Sequence, residues 1–272
     1  AHVAIPPRVV RASRPLPGSV NHLVIDCHVH LHCRAGECQA DAVARLLRCM
    51  DRLGIDKACI CLGERLVAQP DAKELCSQNE WAAEAVAVAP DRLLGFVYVS
   101  PNHPELSLEL IDEYYARGFK GLKLWVCQLC DVAGNDPICG YAAQLGLPVL
   151  QHTWFKTTGN MPTESEPAHL LALARRHPKV NFIMAHAGGD WERGLRLVAD
   201  QPNIYPDTCG NDPESGFTEL AVSLLGAERL VFGSDATGRS FASQMAKITG
   251  ADIPDDAKRL MLGENLLRLM PA

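Results

Sequence analysis

The sequence predicts an α/β fold, a (β/α)8 (TIM) barrel, from three observations. Eight short runs rich in Val, Ile, Leu and Phe are each followed by a stretch with apolar residues at helical spacing, which implies a parallel sheet with a crossover at every connection. No Gly-x-Gly-x-x-Gly follows the first run, as an open doubly wound sheet would favour. Polar residues of a few chemically useful types recur at the C-terminal ends of several runs, where a barrel gathers its functional side chains.

The strand-type runs are 23–28, 55–62, 93–99, 119–125, 147–152, 180–186, 203–207 and 229–234. The first helix, 39–52, places Ala42, Val43, Leu46, Leu47 and Met50 at helical spacing and stops at Gly54. Helices follow at 72–89, from Pro104 (a favoured first-turn residue) to Gly118, and at 138–145, 166–176, 191–200 and 217–225, with two closing helices at 239–248 and 255–270.

A chain of 272 residues, 47% of them hydrophobic, can bury a large core, and barrels of this size routinely form one domain. Residues 1–19, rich in Pro, Arg and Ser without a sustained period, are expected to form an N-terminal arm, and 20–272 the single barrel domain. The net charge of -6 and the lack of a Lys/Arg-rich run leave no basic face for a phosphate backbone, so nucleic acid is excluded as a partner. No run approaches the roughly 18 to 20 apolar residues that span a bilayer, so no membrane association is expected. The first 20 residues carry prolines and arginines where a signal peptide needs an apolar core. Eleven cysteines scattered without a compact framework fit a reducing cytoplasm.

In Asp26-Cys27-His28-Val29-His30 the two histidines share one face of a strand, about 7 Å apart along it, which is chelate spacing. The other strand ends carry Lys123, His152, His186 and Asp235, residue types that bind a divalent metal or move protons. Alternation in Gly121-Leu122-Lys123-Leu124 sends Lys123 into the barrel if the leucines pack on helices. Trp125 and Trp154 follow strands four and five and are expected to line a pocket for a small-molecule substrate. Arg239 is either a binder of an anionic substrate group or a solvated helix-start arginine. His32 is expected to contact substrate or support a ligand from behind, and the Cys127/Cys130 pair is read as ordinary packing.

Asp26-Cys27-His28-Val29-His30, His152, Met184-Ala185-His186-Ala187-Gly188-Gly189, Asn203-Ile204-Tyr205-Pro206-Asp207-Thr208, Phe232-Gly233-Ser234-Asp235 and Leu262-Gly263-Glu264-Asn265 together resemble the amidohydrolase superfamily, in the branch that includes aminocarboxymuconate semialdehyde decarboxylase and related metal-dependent hydrolases and lactonases. The resemblance implies His28, His30, His152 and Asp235 as metal ligands. It gives His186 a place near the reacting group, or on a second metal. Lys123 resembles the lysine that some relatives carbamylate to bridge two metals; the competing reading is a cation that binds a substrate carboxylate or pairs with Asp235. Asp207 would hydrogen-bond a ligand histidine from behind. Zinc is the expected ion, with manganese or iron as alternatives, and a homodimer is expected by analogy.

Chemistry reaches a matching reading independently. An ion on three neutral nitrogens and a carboxylate makes hydroxide available near neutral pH, Asp235 accepts the proton, and His186 polarises the substrate carbonyl. The expected activity is hydrolysis of an amide, ester or lactone. Non-oxidative decarboxylation of a small carboxylic acid is the alternative, and a non-catalytic metabolite-binding barrel is the third reading.

Overall fold

The computed structural model describes residues 22–210 and 214–271, so the expected arm at 1–19 lies outside the described residues. Among the described residues seven strands form one parallel sheet in sequence order: β1 (Ile25–Val29), β2 (Lys57–Cys61), β3 (Leu93–Tyr98), β4 (Gly121–Leu124), β5 (Val149–Gln151), β6 (Phe182–Met184) and β7 (Ile204–Pro206). The intervening helices are α1 (Gln39–Leu53), α2 (Ala72–Val88), α3 (Pro104–Ala116), α4 (Asp136–Leu145), α5 (Pro167–Arg176) and α6 (Trp191–Val198), followed by α7 (Phe217–Leu225), α8 (Phe241–Thr249), α9 (Asp255–Arg259) and α10 (Asn265–Leu269). The arrangement is α/β and TIM-barrel-like.

The expected eighth strand, 229–234, differs from expectation. Residues 227–229 form a 3-10 turn, and beyond it only isolated bridges form, Val231 to Asp207 and Ala236 to Val29. Asp235, between the two bridges, is left-handed (φ 56°), a conformation aspartate tolerates better than most residues, and it interrupts a continuous ladder. The segment nevertheless touches both sheet edges. Val231 N–H donates to Pro206 O (3.1 Å), while Cys27 N–H donates to Phe232 O (2.9 Å) and Asp235 N–H to His28 O (2.8 Å). Strand six likewise ends earlier than expected, at Met184, because His186 (φ 61°) and Ala187 (φ 46°) are left-handed.

Side chains alternate between two cores, as a curled parallel sheet covered by helices requires. Ile25, Cys27, Cys59, Cys61, Phe96, Leu150, Ile183 and Val231 form one cluster, joined by Leu266 and Leu269 of α10. Their strand neighbours, among them Val29, Ile60, Leu122, Leu124 and Phe182, form a larger cluster with the helices. Leu122 and Leu124 therefore face the helices, and Lys123 points the other way, fully buried, as the alternation predicts. Cys127 and Cys130 pack in the helix-side core.

The expected closing helix, 255–270, contains a π-turn at Leu260–Glu264 between α9 and α10. A close approach accompanies it: a side chain on Gly263 would come within 2.1 Å of Leu23 O, so only glycine lets this turn pass the chain entering β1. Among the described residues no helix is long and apolar enough to cross a membrane.

Candidate metal centre

The site is built on β1. The register of β1 against β2 shifts between Asp26 and Val29, a local irregularity of the kind that re-aims side chains beside active sites. His28 lies within the irregularity and His30 follows the strand. Their Nε2 atoms lie 3.0 Å apart. Asp235 Oδ1 lies 3.9 Å from His28 Nε2 and 3.5 Å from His30 Nε2. Asp26 holds the two ends of this arrangement together: its Oδ1 accepts both the His28 and the Ser234 backbone N–H, each at 3.0 Å. Burial pushes the Asp26 carboxyl up to about 7.

The outer nitrogens settle the protonation of the inner ones. His30 Nδ1 lies 2.9 Å from Cys61 O, a carbonyl that can only accept, so Nδ1 carries the hydrogen. His28 Nδ1 lies 2.9 Å from Asp207 Oδ2, the support expected of Asp207. Burial pushes both imidazoles well below their ordinary pKa, so each is neutral and its Nε2 bears a lone pair. Two lone pairs facing each other at 3.0 Å repel, and the Asp235 carboxylate stands beside them; Lys123 Nζ, 3.1 Å from His28 Nε2, meets the first lone pair only. A cation between them removes that repulsion. Imidazoles whose far nitrogen is tied to a carboxylate or a carbonyl are the usual form of a metal-binding histidine. The donor set thus fits a divalent metal.

Lys123 reaches the same point, with Nζ 3.1 Å from His28 Nε2. Burial pushes the Asp235 carboxyl up to about 6, against the pull of Lys123 and Arg239. Arg239 Nε lies 3.5 Å from Asp235 Oδ2, so this arginine faces the site and is not simply solvated.

His152 and His186 form an adjoining pair, with His186 Nε2 3.2 Å from His152 Nδ1. The other nitrogen of His152, Nε2, lies 2.9 Å from Glu164 Oε1, so a carboxylate ties its far nitrogen as Asp207 does for His28, and Nδ1 is the nitrogen turned to His186. Despite burial, hydrogen bonds from His152 and Lys156 hold the Glu164 carboxyl down at about 2. His186 is placed by its own backbone, whose N–H donates to Asp207 Oδ1 (2.7 Å), and by Trp154, whose ring centre is 4.5 Å away. His32 Nδ1 turns to Glu64 O, 2.6 Å away, with its ring stacked at 6.3 Å from that of His30.

Two site residues escape the sequence reading. Cys209 Sγ lies 3.2 Å from His28 Nδ1 and 3.2 Å from His186 Nδ1, and with Asp207 these make a second convergence of donors. Its signal was proximity to Asp207-Thr208. Glu164 gave none, since it reaches His152 from the long loop between β5 and α5.

Beside the centre opens a cavity of about 560 Å³, lined by Trp154, Trp191, Lys156 and Arg239 among others. Trp125 is not brought to it and packs, half-buried, against the helix-side core.

A family model described as amidohydrolase matches residues 25–271. The chain belongs to the amidohydrolase family. The enzyme reading of the sequence stands with that membership. Solved structures similar to this amidohydrolase include a 2,6-dihydroxybenzoate decarboxylase from Rhizobium, 18% identical over 91% of this chain and 98% of that one, with a TM-score of 0.74. A dihydroxybenzoic acid decarboxylase from Polaromonas with bound manganese and the inhibitor 2-nitroresorcinol is 19% identical over 91% and 96% of the chains (TM-score 0.72). A Tim-barrel protein from Bordetella bronchiseptica is 16% identical over 90% and 97% (TM-score 0.67). At these identities the likeness concerns the fold.

Proposed function

We propose that this amidohydrolase is a metal-dependent hydrolase of a small molecule carrying an amide, ester or lactone bond. The reading rests on one observation above all: two neutral imidazole nitrogens 3.0 Å apart, each anchored from behind, converge with the Asp235 carboxylate. His28, His30 and Asp235 would hold the ion, and His152 would be the fourth donor. Zinc suits a nitrogen-rich set, and manganese, present in the Polaromonas structure, is the main competitor. We also read residues 230–236 as the eighth barrel position, since they bond to both β7 and β1.

A bound divalent ion supplies Lewis acidity, polarising a substrate carbonyl and making water a nucleophile at neutral pH. The chain's own residues do the rest. Asp235 turns one carboxylate oxygen to the centre and the other to Arg239, so the arginine fixes its orientation while it takes a proton from the attacking water. His186, wedged against Trp154, is positioned to stabilise charge on the substrate oxygen. Trp154 and Trp191 supply apolar wall beside the reacting group, and Lys156 and Arg239 face the cavity together with the carboxylates of Asp190, Glu192 and Glu214. The cysteine usage supports a cytoplasmic location.

A second reading, decarboxylation of a small carboxylic acid, has its own support: the Rhizobium and Polaromonas structures are decarboxylases by name. The metal-loaded protein, assayed against lactones, esters, amides and aromatic or enoic acids, separates the two. Acid release without carbon dioxide supports hydrolysis. Carbon dioxide release from a carboxylic acid, without lactone, ester or amide opening, overturns it in favour of the second reading.

A further inference from the structure

A second cavity, of about 400 Å³, lies between α1 and the segment that leads into α8. Four guanidinium groups line it, those of Arg34, Arg45, Arg52 and Arg239, and no acidic residue does. Arg45 is paired with Glu37 (2.8 Å) and Arg239 with Asp235 (3.5 Å). Among the described residues neither Arg34 nor Arg52 forms an ion pair. The Arg52 side chain lies back along α1, where its Nε donates to Arg48 O (3.1 Å).

The wall beneath these groups is apolar. Leu46 and Phe241 are buried, and Leu53 is half-buried at the rim. Like charges gathered over apolar surface repel one another, and the weakly screened side of such a concavity strengthens the repulsion. An anion offsets it. The apolar wall adds a second requirement, because a small inorganic anion would leave that wall in contact with water.

We propose that this cavity is a binding site for an amphipathic monoanion, with a carboxylate head on Arg34 and Arg52 and an apolar body against Leu46, Leu53 and Phe241. The cavity volume is in the range of ordinary small-molecule sites. Arg34 and Arg52 carry the head group because Arg45 and Arg239 already have carboxylate partners. The site is separate from the cavity beside His186, although Arg239 borders both.

Octanoate titrated calorimetrically into the full chain tests this, with octylammonium and inorganic phosphate as comparison ligands. The expected result is one octanoate site, at least tenfold weaker in the Arg34→Gln/Arg52→Gln variant, as follows from losing two charge-assisted contacts. Octylammonium and phosphate are expected to bind at least tenfold more weakly than octanoate. An unchanged melting temperature shows that the double variant is folded, and Leu53→Asp gives an independent variant that should also lose octanoate. No octanoate binding at millimolar concentration overturns the proposal, as does phosphate binding as tight as octanoate. Octanoate binding that survives Arg34→Gln/Arg52→Gln but is lost in Trp154→Ala places the anion in the other cavity and overturns it equally.

Discussion

Asp207 Oδ2 lies 2.9 Å from His28 Nδ1, and its Oδ1 accepts the backbone N–H of His186, so one buried carboxylate from the end of β7 orients histidines from two other strands. Support of this kind commonly contributes 10- to 100-fold to metal affinity. Asp207→Asn should therefore weaken zinc binding by roughly that factor, measured by competition with a chelator, while circular dichroism stays native.

Asp26 makes the corresponding tie for Asp235. Asp26→Ala leaves the backbone N–H groups of His28 and Ser234 buried without their shared acceptor. The expected cost is about 1–3 kcal/mol for each unsatisfied donor, seen as a lower urea midpoint. Asp26→Asn keeps an acceptor oxygen and should recover most of that loss.

Gly210 borders His186 with φ of 73°, and a Cβ there would come 2.5 Å from His186 Nδ1. Gly210→Ala should displace the imidazole and lower kcat by tenfold or more while zinc content holds. A kcat equal to wild type would show that the imidazole keeps its place, and His186→Ala would then decide its role.

His30 converges with His28 and Asp235 in the folded chain, whereas His152 Nδ1 faces His186 Nε2 and lies outside that group of donors. His30→Ala should therefore cost more metal affinity than His152→Ala in the same chelator competition. The reverse order would make His152 the dominant donor.

Outside the site, hydrogen bonds from Arg45 and from the Arg34 backbone hold the Glu37 carboxyl at about 2, below its usual 4.5. A depressed carboxyl contributes stability that is fully present above its unfolded value and is lost as pH falls through its folded value. Glu37→Gln should thus be less stable than wild type at pH 7, with the difference shrinking below about pH 4.5 and gone near pH 2. Parallel acid-unfolding curves at pH 7, 4.5 and 2 check the sign.

What could be read in the sequence is what a period fixes. Alternation placed His28 and His30 on one face and turned Lys123 inward, because strand period and burial agree at those positions. The Asp207 contact was legible because a carboxylate at a strand end in a barrel faces the other strand ends. Left-handed residues were not legible: His186 and Ala187 follow β6, and Asp235 interrupts the bridged segment 231–236, through backbone conformations that composition does not announce. Contacts made by long loops were equally hidden, since nothing in 152–166 says that Glu164 folds back 2.9 Å from His152. Cys209 meets His28 only because strands far apart in sequence curl toward each other.

The convergence of His28 and His30 is the centre of the account, and metal content tests it most directly. Elemental analysis of the purified chain, after dialysis against zinc and then against buffer, should find about one equivalent bound in the wild type and almost none in His28→Ala/His30→Ala of unchanged fold. Equal metal content in the two proteins, or a wild-type chain that retains none, would contradict it.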